Sequence, residues 1–96
     1  MSPKNKKKLN ILRNKLDMLD NSLIRLIKKR SEIIKSVLNL KENKNQIVDR
    51  KRINFILKNI KKKSVKNKID PKITNKIWKS MIWAYIDFER RNFKKR

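Results

Sequence analysis

The chain has 96 residues and a formal net charge of +22, from 30 Lys and Arg against 8 Asp and Glu, and it contains no Cys, His or Gly. A chain of this length makes one domain with a modest core, and without cysteine no disulfide reinforces it. The missing residue types exclude zinc fingers, thiol nucleophiles, serine triads, imidazole acid–base chemistry and glycine-built phosphate loops, so any catalysis rests on Arg, Lys, carboxylates or amides.

The first predicted element runs from about Lys8 to Lys41. Its apolar residues Leu9, Leu12, Leu16, Leu19, Leu23, Leu26, Ile33, Val37 and Leu40 recur in steps of three and four apart from one gap, with no Pro or Gly to break them. Such a helix is about 50 Å long, roughly twice the ~26 Å diameter of a compact domain of this size. The rest of the chain is too short to cover it. The seam therefore predicts a second chain, most simply a helical homodimer.

ENKNQ is a polar connection, after which Asp49 caps a second helix whose apolar face is Ile53, Ile56 or Leu57, and Ile60. This helix is expected to fray in KKKSVKNK. Asp70-Pro71 then marks the start of a third helix, a cap followed by proline at the first helical position. On it Ile73, Ile77, Met81, Ala84 and Phe88 form one stripe, with Trp78, Ile82, Tyr85 and Glu89 on a second beside it. Trp78, Trp83, Phe88 and Phe93 read as core rather than as stacking platforms for bases. The expectation is an all-α fold of three helices in a single domain over residues 1–96, with basic tails at 1–8 and 92–96. No internal repeat is visible.

The high charge invites a nucleic-acid reading, since a basic chain gains affinity by releasing counterions from phosphates. Lys, Asn and Ile, whose codons are almost wholly A and T, supply half of the residues, and the lysines are scattered along the chain apart from KNKKK and KNIKKKSVKNK. Most of the charge therefore reads as solvated surface. Nucleic acid is not expected as a partner, whereas any small anionic substrate gains from the field. No apolar run approaches a membrane span, and MSPKNKKK leads into an interrupted amphipathic pattern, unlike the continuous apolar core of a secretory signal. A cytoplasmic protein without membrane contact is expected.

The gap in the apolar seam falls at Arg30. A long side chain can lay its methylenes along a seam and send its charge to water. Its companions suggest another use. Lys41 lies eleven residues on, almost three whole turns, and so projects from nearly the same face about 17 Å further along. Two cationic arms so placed can close on a small dianion. Arg13 lies seventeen residues before Arg30, about 26 Å away, so if both hold one ligand the dimer partner supplies Arg13. The eight carboxylates show no metal-ligand spacing, and Asp17 and Asp20 are expected to pair with neighbouring cations.

The run LRNKLDMLDNSLIRLIKKRSEIIKSVLNLK, then DRKRI, then ITNKIWKSMIWAYIDFERR resembles the all-helical chorismate mutases and the related isochorismate pyruvate lyases. The resemblance spans about Leu9 to Arg91, and the joint spacing of Arg13, Arg30, Lys41 and Arg52 carries it. It implies an intertwined dimer with two sites, each built mainly by one chain plus the other's Arg13, acting without metal or cofactor on the dianion chorismate. The implied reaction is a pericyclic rearrangement to prephenate, which needs the diaxial conformer held and the charge growing on the ether oxygen stabilised.

On that pattern Arg13 and Arg30 bind the two carboxylates, Lys41 reaches the ether oxygen, and Arg52 supports the carboxylate end. Asp49 accepts the substrate hydroxyl, a role that stands beside its reading as a helix cap. Glu89 replaces the glutamine that usually donates to the ether oxygen, and can donate there only when protonated. Ile53 stands where many mutases have a glutamate and the lyase an aliphatic residue, and Tyr85 also agrees with the lyase. The expected activity is chorismate mutase in aromatic amino-acid synthesis, with isochorismate pyruvate lyase as the alternative. From another class, a basic helical dimer binding nucleic acid needs none of these cations at these spacings.

Overall fold

A computed structural model describes residues 1–94; Lys95 and Arg96, the end of the basic tail, lie outside the described residues. The elements are α1 (Pro3–Leu40), a short 3-10 turn (Lys44–Gln46), α2 (Arg50–Lys66) and α3 (Pro71–Asn92). Among the described residues there is no strand, and no helix is long and apolar enough to cross a membrane. The three-helix expectation holds.

α1 is longer than its apolar pattern, with 38 residues or about 57 Å. It begins before Lys8 because Ser2 caps it: Asn5 N–H donates to Ser2 Oγ at 3.2 Å, with Pro3 following the cap. The basic start is thus helical from Pro3. Packing divides the chain into two compact units, with the break between Ile33 and Ile34 inside α1.

The first unit, Met1–Ile33, is helix with little to cover it. Leu12, Leu16, Leu19, Leu23 and Leu26 each expose more than half of their surface. Burial of such a side chain contributes about 1.5–3 kcal/mol, so the stripe forgoes most of the stabilisation available to it. Asp17 and Asp20 form no ion pair among the described residues, contrary to expectation. Both are exposed. At such sites an ion pair is worth only ~0.5 kcal/mol, little to hold two side chains in one geometry.

The second unit, from Ile34 onward, owes its core to α2 packing on α3. Ile47, Ile82 and Ile86 are buried there, with Val48, Ile53, Ile56, Leu57 and Phe93 packed against them. Of the two stripes on α3, one has Ile82 and Glu89 buried with Trp78 and Tyr85 half-buried, and Ile73 and Ile77 on the other are exposed. Trp83 is also exposed, against its reading as core.

α2 does not fray in KKKSVKNK. Ser64, in the middle of that lysine run, is 3% exposed; its hydroxyl donates to Ile60 O at 2.6 Å and lies 2.7 Å from Thr74 Oγ1 on α3. A tertiary hydrogen bond thus holds the last turns that local charge repulsion loosens. The helix then closes in a Schellman motif, with Ile69 N–H donating to Ser64 O at 2.9 Å and Lys68 N–H to Val65 O at 3.1 Å. Lys68 takes φ 57°, the left-handed position that glycine usually fills in this motif.

Candidate active site

The site begins where α1 ends. Lys41 is the first residue past the helix, and its N–H donates to Leu38 O at 3.1 Å in a closing turn. Its ammonium reaches α3, where Nζ lies 3.1 Å from both carboxylate oxygens of Glu89. The Glu89 side chain is 5% exposed and that of Lys41 19%. A carboxylate so buried is tolerated because a cation satisfies both its oxygens; removing one partner of such a pair costs about 3 kcal/mol or more.

From Lys41 the chain crosses to α2 through residues 42–49. Gln46 Oε1 accepts from the N–H groups of Glu42 at 2.6 Å and Asn43 at 3.0 Å. Ile47 sinks into the core at 4% exposed. Asp49 then caps α2, its Oδ1 accepting from Arg52 N–H at 3.0 Å, as its position in the sequence predicts. This connection lines an open groove of about 650 Å³ whose lining includes Val37, Leu40, Lys41, Gln46, Val48 and Asp49. The volume is in the range of small-molecule sites, about 300–1,000 Å³.

Of the residues singled out in the sequence, Lys41 and Asp49 share that groove, and Glu89 joins them through the ion pair. Arg52, Ile53 and Tyr85 belong to the same unit but do not line it. The Arg52 guanidinium sits 5.4 Å from the centroid of the Phe55 ring, a cation–π contact worth roughly 0.5–1 kcal/mol on an exposed face. Ile53 is half-buried against the apolar core, and Tyr85 is half-buried on α3, one turn before Glu89. Arg13 and Arg30 belong to the first unit and are exposed.

Gln46 escaped the sequence reading. Its signal was present in ENKNQ, where Asn43 and Gln46 stand three apart, the spacing of a capping box. No group of three or more carboxylates among the described residues could hold a metal ion.

Residues 12–90 match the family chorismate mutase type II. The chain belongs to that family. The match spans most of the chain and nearly coincides with the stretch, Leu9 to Arg91, whose residues carry the resemblance in the sequence. No curated protein and no solved structure matches the chain. Membership supports a chorismate mutase-type function.

Proposed function

We propose that the chain is a chorismate mutase, converting chorismate to prephenate in cytoplasmic aromatic amino-acid synthesis. The observation that carries the reading is a buried carboxylate on α3 paired with Lys41, a residue that lines the same groove as Asp49. The reaction is intramolecular and needs no nucleophile; it requires a substrate folded so that its reacting carbons meet, and a cation where the breaking carbon–oxygen bond leaves negative charge.

Lys41 is the group for that oxygen, because a fixed cation at the site of developing charge stabilises the transition state. Glu89 holds Lys41 in place before substrate arrives. This ion pair supports Glu89 as an ionised positioning group rather than as a neutral hydrogen-bond donor. Asp49 accepts from the substrate hydroxyl, Arg30 and Arg13 take the two carboxylates, Arg52 supports one carboxylate end, and Ile53 and Tyr85 complete the substrate's surroundings.

Arg13 comes from a second copy of the chain. The exposed leucine stripe of α1 supports this, since its own unit leaves those apolar side chains uncovered. Product analysis after separate incubation with chorismate and isochorismate tests the activity. Prephenate from chorismate supports the mutase; salicylate and pyruvate from isochorismate, with chorismate untouched, would replace it with the lyase that Ile53 and Tyr85 suggest.

A further inference from the structure

Two anchors govern where the Lys41 ammonium sits. Glu89 grips the charge, and that grip has to loosen if the ammonium is to face a substrate oxygen. The backbone of Lys41 must then be held by something else, because a lysine has four flexible side-chain bonds and adds its own freedom to any movement of its Cα.

On the helix side, Lys41 N–H is tied to Leu38 O. On the other side stand the amides of Glu42 and Asn43, both donating to the single oxygen Gln46 Oε1. Gln46 is itself fixed. Its own N–H donates to Asn43 O at 3.1 Å, and its neighbour Ile47 is buried against α3 residues Ile82 and Ile86. A chain of contacts thus runs from the core through Ile47 and Gln46 to the peptide immediately after Lys41. No other side chain bonds those two amides among the described residues.

We propose that Gln46 is a positioning residue for the reaction, holding the backbone at Lys41 while the ammonium passes from Glu89 to the substrate. This rests on the mutase reading, in which Lys41 meets the ether oxygen. The glutamine also suits the charge of the site. A glutamate offers the same two N–H groups an acceptor, but it brings a negative charge into a groove meant for a dianion. Gln46 supplies the acceptor without that charge.

Two variants separate these demands. Gln46→Met keeps the length of the side chain and removes the acceptor; Gln46→Glu keeps the acceptor and adds the charge. Each is measured for kcat and KM on whichever of chorismate and isochorismate the wild type turns over, with amide hydrogen exchange at Glu42 and Asn43 and the thermal midpoint as structural readouts. Gln46→Met should lose amide protection and about tenfold or more in kcat, since a displacement near 1 Å can cost about a hundredfold. Gln46→Glu should keep amide protection and most of kcat while raising KM. The proposal is overturned if Gln46→Met loses protection at wild-type kcat, or if Gln46→Glu regains protection without regaining kcat. A wild type that turns over neither substrate overturns the mutase reading itself, an outcome distinct from both, and the proposal falls with it.

Discussion

The first unit and the α2–α3 unit are written in the same apolar code, and only one of them finds cover within the chain. In the second, Ile47, Ile82 and Ile86 are buried and the polar groups of Ser64 and Thr74 satisfy each other. In the first, a leucine stripe of equal regularity stays exposed. Periodicity therefore predicts that a helix will form and which face is apolar, and leaves open what the face meets. From Leu12 to Leu26 that stripe runs about 21 Å along α1, and a second copy of the chain is the cover proposed for it.

The largest effect should come from attacking that exposed stripe. Leu19→Lys puts a charge in the middle of the face expected to bury against a second copy, at a cost of several kcal/mol if it is buried unpaired. Light scattering should give twice the chain mass for the wild type at micromolar concentration, and single-chain mass with no turnover for the variant. A wild type that is folded, active and monomeric would sink the shared-site reading.

Next come the two arginines of the first unit. Arg13→Ala and Arg30→Ala should each cost about 3 kcal/mol of transition-state stabilisation, or roughly a hundredfold in rate. If each site takes Arg13 from the other chain, as proposed, a heterodimer of the two variants has one doubly damaged site and one intact. Mixing them, with subunit exchange verified by mass, should restore activity. Failure to do so would place both arginines in the same chain's site.

The second unit is probed through its buried pair. Lys41→Met leaves the Glu89 carboxylate buried without its cation and should destabilise the chain by about 3 kcal/mol. Lys41→Met combined with Glu89→Leu should regain stability and stay inactive, which denaturant titration and turnover assays separate. Glu89→Gln distinguishes the two roles of Glu89: as the carboxylate anchor of Lys41 it cannot become an amide without losing most turnover, whereas as a hydrogen-bond donor to substrate it can, with activity kept.

The smallest effect lies at the turn between α2 and α3. Lys68 holds φ 57°, a conformation costing a residue with a Cβ roughly 1 kcal/mol or more. Lys68→Gly should therefore stabilise by about 0.5–1 kcal/mol, after the extra chain entropy glycine loses, and raise the thermal midpoint by a few degrees without touching turnover.

Much of the fold was legible because its signals are local. Asp49 and Asp70 cap their helices through N–H groups three and two residues ahead, so the sequence alone carries both partners of each bond. Ser2 and Gln46 work in the same way and were readable, though less conspicuous beside the lysine runs. The persistence of α2 through KKKSVK was not readable. Local charge argued for fraying, and the bond that prevents it comes from Thr74, ten residues away on another helix.

By itself the sequence determined three helices, the starts of α2 and α3, the apolar faces and the set of cations that carries the family resemblance, because each follows from residue type and a spacing of a few residues. Tertiary structure alone decided which stripe of α3 would be buried, left Trp83 exposed, and joined Lys41 to Glu89 across 48 residues. Nothing local specifies that last pairing. It depends on the packing of α2 against α3 and on Ile47 drawing the connection into the core, and a side chain of either charge finds its partner only after the helices are in place.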